Sequence, residues 1–200
     1  MERLELKDRD NMNRYQLTKE ELRVAREWAA DESWVEKKAY ELDEEYLECV
    51  GDILAHPVFQ SMDNYIQHGT TTCKTHCIQV SYMSFQICRS RGWDYRSAAR
   101  AGLLHDLFLY DWHTHARETG EHFHGFTHPR KAMNNAVKYF GISEMEKNLI
   151  LRHMWPLTPV PPKHIEGYVV LYADKFCGLA EVGSNVKRWL FCSLIPRHLG

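Results

Sequence analysis

The sequence predicts an all-α protein. Three observations carry that reading: three Ser/Thr-x-x-Glu capping boxes, apolar residues recurring every three or four positions, and almost no strand-like alternation. Thr18-Lys-Glu-Glu21 and Ser33-Trp-Val-Glu36 open two helices, expected over about residues 18–30 and 33–54, with Pro57 marking a break. In the second, Val35, Ala39, Leu42 and Tyr46 fall on one stripe. Gly69-Thr-Thr-Thr opens a helix to about Arg91, and Gly92 stands where a C-terminal glycine belongs. Asp94 caps the next helix, which continues through Ala98, Ala101 and Leu104 to His105. From Leu107 to Thr127 periodicity is lost, and a loop of that length tends to be a lid or binding segment. Pro129 fits the first turn of a helix ending near Phe140, with Gly141 behind it. Ser143-Glu-Met-Glu146 starts a helix reaching Trp155. Pro156, Pro159, Pro161 and Pro162 then enforce an extended connection to a last long helix over about residues 163–179. The organisation read from this is an N-terminal helical extension over 1–60, one helical bundle over 61–185, and a closing segment over 186–200 containing Trp189, Leu190 and Phe191.

Composition narrows the function classes. The 200 residues are 44% hydrophobic and 26% charged, ordinary globular proportions that can bury a real core. The net charge of −2 lacks the basic surplus of a general nucleic-acid binder, though a local cationic pocket for a small anion remains compatible with it. No apolar run spans a bilayer, and the charged N-terminus lacks the apolar core of a secretory signal, so the expected compartment is cytoplasmic. The cysteines, Cys49, Cys73, Cys77, Cys88, Cys177 and Cys192, form no CxxC pair and read as reduced packing residues. Cys73 and Cys77, four apart, are read the same way, ahead of metal ligation.

Twelve histidines are the anomaly, and six of them fall between His105 and His128. His76 precedes Val80, Met83 and Ile87 on an inward stripe. His105 continues Ala98 and Ala101 at the end of its helix, where Asp106 can turn inward. His153 continues Met145 and Leu149, and Asp174 follows Val170 inside the apolar run YVVLYADKFCGLA. One histidine on an apolar face is usually a hydrogen-bonded core residue. Several inward His and Asp residues on separate helices are costly to bury unless a cation satisfies them. Mixed imidazole and carboxylate donors suit Fe, Mn, Co, Ni or Zn, with Mg also admissible. His56, His164 and His198 sit in polar or terminal contexts and read as surface residues.

The order H … HD … H … H … D, carried by THCIQVSYMSF, AARAGLLHDL, HPRKA, ILRHMW and VVLYADK, resembles the HD-domain superfamily of metal-dependent phosphohydrolases over about residues 65–182. It is most similar to the branch with two extra histidines, which includes diadenosine-tetraphosphate hydrolases. The resemblance implies an all-helical bundle in which His76, His105, Asp106 and Asp174 hold one divalent metal. His128 and His153 would hold a second, with Asp106 bridging. It further implies a metal-activated hydroxide that cleaves a phosphoester or phosphoanhydride of a small phosphorylated substrate, such as a nucleotide or dinucleoside polyphosphate. In place of the common HD-Ile-Gly-Lys-type continuation this chain has HDLFLYDWH.

Outside the ligands, Lys175, Arg130 and Lys131 are either phosphate contacts or plain surface charge. His68 is either a general acid near the leaving group, which would place it with Asp106 and Lys175 in the catalytic set, or a cap for its helix end. Trp112 and Trp155 are base-stacking or core residues. His113, His115, His122 and His124 of the lid candidate HTHARETGEHFHGF are groups that orient the metal ligands, adventitious metal binders or solvent-facing side chains. Residues 1–60 cover the pocket, form a homodimer contact or complete the core. Two other function classes fit the same pattern: a diiron oxygenase on the HD scaffold, and a non-catalytic metal or nucleotide sensor.

Overall fold

The computed structural model describes residues 39–68, 71–111 and 124–182. Their fold is all-α with one small antiparallel hairpin, and they belong to a compact unit that begins at Lys38. The helices expected before residue 38 and the closing segment over 186–200 lie outside the described residues.

Five of the seven described helices begin where a side chain takes up a free main-chain N–H group of the first turn. Helix α1 (Glu44–Leu54) is capped by Asp43, whose carboxylate accepts from the Tyr46 N–H at 3.1 Å. The helix expected over 33–54 is therefore interrupted: Ala39–Leu42 is a 3-10 turn, and Asp43 is extended because it spends its side chain on the cap. The short α2 (Pro57–Gln60) is capped by the His56 ring, which accepts from Val58 N–H and packs edge-on against Phe140. His56 is thus a half-buried structural residue where a surface one was expected.

The helix expected from Gly69 starts later. Strands β1 (Ile66–His68) and β2 (Thr71–Thr72) pair first, and α3 (Cys73–Arg91) begins after Thr72, whose hydroxyl accepts from Thr75 N–H. It ends at Gly92, where a φ of 67° calls for glycine. Helix α4 (Tyr95–Leu104) is capped by Asp94. Helix α5 (His124–Phe140) begins before the end of the expected loop, so Pro129 lies inside it and not in its first turn. The ring forfeits the bond to one carbonyl, that of Gly125 near the helix start, which is why the helix tolerates it. Helix α6 (Glu144–Arg152) has the full Ser143–Glu146 capping box and stops at His153, short of the expected Trp155. Helix α7 (Ile165–Val182) extends past the expected end. No described helix is long and apolar enough to cross a membrane.

Helix α3 is the centre: Cys73, His76, Cys77, Val80, Ser81, Met83, Phe85 and Cys88 are all buried, so neighbours surround it. It packs most extensively on α4, then on α7, while α1 and α6 lie against α4 and α5 against α6. The α3–α4 approach is close because Gly102 faces the Ser81 backbone: a Cβ there would stand 2.6 Å from Ser81 Cα. Ser81 Oγ donates to Ala99 O at 2.7 Å and meets Tyr46 Oη of α1 at 2.9 Å, tying three helices at one hydroxyl.

Arg100 provides the other polar tie. Its guanidinium forks onto Asp52 at 2.6 and 3.0 Å, donates to Glu146 at 2.9 Å and reaches Cys49 O at 3.0 Å, joining α1, α4 and α6. Arg100→Met is expected to destabilise the protein by about 2–3 kcal/mol, since Glu146 and the Cys49 carbonyl lose a buried partner. Arg100→Lys should recover only part of this, because an ammonium cannot span the fork. Urea unfolding of the three proteins measures the difference.

Candidate metal centre

Five helices deliver six buried donors to one point. His76 lies on α3, His105 and Asp106 directly follow α4, His128 is on α5, His153 directly follows α6, and Asp174 is on α7. The positions after α4 and α6 serve two purposes. His105 Nδ1–H donates to Gly102 O at 2.8 Å, and His153 Nδ1–H donates to Ile150 O at 2.7 Å. Each bond satisfies a last-turn carbonyl that the helix leaves unpaired, and each fixes the tautomer, so the Nε2 lone pair points into the cluster.

The donor atoms fall into two groups of three that share one residue: His76, His105 and Asp106, and Asp106, His128 and His153. Within each, the ligand atoms lie within 4.8 Å of one another. Asp174 flanks the first group, its Oδ1 3.2 Å from His76 Nε2 and 3.6 Å from His105 Nε2. In the second, His128 Nε2 stands 2.9 Å from His153 Nε2 and 3.2 Å from Asp106 Oδ1. His105 Nε2 and Asp106 Oδ1 are buried without any hydrogen bond, although charged neighbours surround both. Buried polar atoms that end unpaired at the meeting point of five helices are the signature of a group that completes them. Imidazole nitrogens and carboxylate oxygens are the donors divalent transition metals take, and these residues could hold such an ion.

The electrostatics agree. Burial pushes the Asp106 carboxyl up, but the charge of His105 and the proximity of His128 outweigh it and hold it well below the usual carboxylate range. Asp174 is held low in the same way by His105 and His76. Burial pushes the His76 imidazole down, yet its bonds to Asp174 and Glu181 lift it to about 10. His105 also rises against its burial, through the charge of Asp106 and the contact with Asp174. His153 is pushed down to about 3 by burial and by the charges of His128 and His105. The proton on His76 therefore helps balance the carboxylates, and a cation taking that ring would displace it. Adding a divalent ion at pH 7 is expected to release about one proton per chain, with affinity rising with pH because a protonated ring cannot ligate. Indicator-dye titration in weak buffer measures the release; none would contradict this protonation pattern.

Two polar residues of the cluster were not expected. Gln67 on β1 donates to Asp106 Oδ2 at 2.5 Å and accepts from Cys73 Sγ at 3.0 Å, so the hairpin orients the shared carboxylate. Glu181, on the last turn of α7, accepts from His76 Nδ1–H at 2.9 Å. It lies seven residues beyond Asp174, two helical turns along the same face, and that spacing was a legible signal. Cys73 and Cys77 are buried; burial raises both thiols, so both stay protonated.

The remaining candidates are dispersed. Lys175 Nζ sits 2.8 Å from Asp174 Oδ2 and 3.3 Å from Met154 Sδ, with its side chain half-exposed. Arg130 is exposed on α5, and Lys131 lies over the Tyr110 ring at 4.8 Å. His68 ends β1, opposite Thr71, and His124 begins α5. Trp155 is half-buried, edge-on to Tyr168. Trp112, His113, His115 and His122 lie outside the described residues, as do Cys192 and His198.

Comparison of the chain with protein-family models, with curated proteins and with solved structures returns no match.

Proposed function

We propose that this chain is a metal-dependent phosphohydrolase of the HD-domain kind, acting on a phosphoester or phosphoanhydride of a small phosphorylated metabolite, a nucleotide or dinucleoside polyphosphate. The observation that supports it most is the pair of three-donor groups hinged on the single carboxylate of Asp106. His76, His105, Asp106 and Asp174 would hold one ion, and Asp106, His128 and His153 a second. Such ions, when bound, supply a water of lowered pKa and neutralise charge on phosphoryl oxygens.

The chain's own residues do the rest. Gln67 holds one oxygen of Asp106 and leaves the other directed at the histidines. Main-chain carbonyls lock the His105 and His153 rings, so neither ring has to reorganise during reaction. Lys175, beside Asp174 and half-exposed, would meet a substrate phosphate. Its flexible ammonium suits a point contact to an anion.

The test is loading of the chelator-stripped chain with Mn, Fe, Co, Ni or Zn, followed by a panel of nucleotides, dinucleoside polyphosphates and simple phosphoesters. Ion-dependent phosphate or nucleotide release is expected. Oxygen uptake on a polyol or phosphonate, without phosphate release, would replace the reading by an oxygenase. Ion binding with neither activity would replace it by a sensor.

A further inference from the structure

Burial is inverted on strand β1. Ile66 is 40% exposed while its neighbour Gln67 is 8% exposed, although an apolar side chain gains most from facing the core. The cause is a bulge. Ile66 pairs with Thr72 and His68 with Thr71, so Gln67 is left over in the register, and an extra residue of this kind re-aims its side chain. The bulge lies against the start of α3, where Cys73 N–H donates to Tyr65 O at 2.8 Å. Gln67 Nε2 donates to Asp106 Oδ2 at 2.5 Å, and Cys73 Sγ donates to Gln67 Oε1 at 3.0 Å. The two oxygens of Asp106 then have different neighbours. Oδ2 is 3.4 Å from His105 Nε2, whereas Oδ1 is 3.2 Å from His128 Nε2 and 3.7 Å from His153 Nε2.

We propose that Gln67 is a positioning residue that gives one oxygen of Asp106 to each donor group, with Cys73 fixing the sense of its amide. The inference rests on the metal-binding reading above. A carboxylate turns about its Cβ–Cγ bond over a broad, two-fold range, and its oxygens are interchangeable until something marks one of them. The Gln67 amide marks Oδ2 with a charge-assisted hydrogen bond, which resists that rotation. The amide itself has two ends, one that donates and one that accepts. A thiol that donates to Oε1 commits it to presenting Nε2 to Asp106. Without this chain of two bonds, both oxygens are free to turn to one group, and the other loses the carboxylate it shares. Gln67 and Cys73 thus act through Asp106 and not as ligands.

Mn(II) titration of the chelator-stripped full-length chain, followed by calorimetry and electron paramagnetic resonance, tests it. Two ions that share one carboxylate are expected to be magnetically coupled, so the spectrum of isolated Mn(II) fades as the second ion enters. Gln67→Met keeps the length of the side chain without its donor. It should weaken ion binding by about 10–100-fold and, at full loading, reduce the coupling. Gln67→Asn, whose amide falls one methylene short of Oδ2, carries the same expectations should the first variant fail to fold. Cys73→Ala should weaken binding by about two- to tenfold, the scale of one hydrogen bond, and Cys73→Ser, which keeps a donor, by less. In the Gln67→Met chain, Cys73→Ala should add nothing; additive losses overturn the role of Cys73. If Gln67 only fastened the hairpin to the bundle, affinity would fall while the loaded chain kept its wild-type coupling. That result overturns the proposal, and so do two uncoupled ions in the wild type. A wild-type chain that takes up fewer than two ions refutes the two-metal reading itself, an outcome distinct from two coupled ions indifferent to Gln67.

Discussion

Asp106→Ala is expected to leave the purified chain without an ion in either half of the cluster. No other residue belongs to both three-donor groups. Its carboxylate is also the charge that faces His105, His128 and His153 at 3.2–3.7 Å. Without it, His128 and His153 lose the carboxylate that faces them while His105 keeps Asp174, so the negative charge available to a cation falls in both groups. Elemental analysis after loading measures this directly. Turnover of any substrate found by the panel should fall about a thousandfold or more, the scale of about 4 kcal/mol of lost transition-state charge stabilisation. Asp106→Asn separates charge from shape: the amide fits the same space beside Gln67, so ion loss there reports the missing charge. His153→Ala, by contrast, should spare one half. An Asp106→Ala chain that still carries two ions would refute the assignment of that residue.

Gly102→Ala is the second large effect, and it acts through the backbone. The new methyl would sit 2.6 Å from Ser81 Cα and 3.0 Å from Ser81 N, main-chain atoms of the central helix that cannot swing aside as a side-chain tip can. Helices α3 and α4 must separate, at a cost of about 2–3 kcal/mol from overpacking that exceeds the roughly 1 kcal/mol gained in helix propensity. The damage reaches the cluster, because the Gly102 carbonyl anchors His105 Nδ1 and α3 carries His76. Lower unfolding stability together with weakened ion binding is the expected pair of results. Gly51→Ala is the matched control: it lies in α1 with nothing within 4 Å of its missing Cβ, and should stabilise by about 0.5–1 kcal/mol. Equal effects at the two glycines would contradict the close-approach account.

What the sequence revealed and what it hid follow from the range of the interactions involved. Inward histidines on α3 and at the end of α6 are visible because helical periodicity is local: His76 with Val80 and Met83, His153 with Leu149. Capping boxes are equally local, and Ser143–Glu146 is formed in full. Gln67 was invisible. It reaches Asp106 from a hairpin with a register irregularity, a placement settled by tertiary packing and not by any pattern along the chain. The start of α3 was misplaced for a related reason: Gly69-Thr-Thr-Thr offers several hydroxyls that could cap, and pairing of Ile66 with Thr72 decides between them. Pro129 misled because proline is common in first turns, whereas here His124 to Thr127 extend the helix ahead of it. Glu181 sat in plain view two turns past Asp174, but a single acid near the end of a long helix reads as surface until its partner is known.

The order of these residues along the chain also bears on biosynthesis. His76 pairs with carboxylates made 98 and 105 residues later, Asp174 and Glu181. His76 is therefore synthesised long before the helix whose carboxylates neutralise it. Contacts of such wide separation form late in folding, after their loop has closed. On this ordering, the His76 side of the cluster closes only once the last described helix has packed against α3.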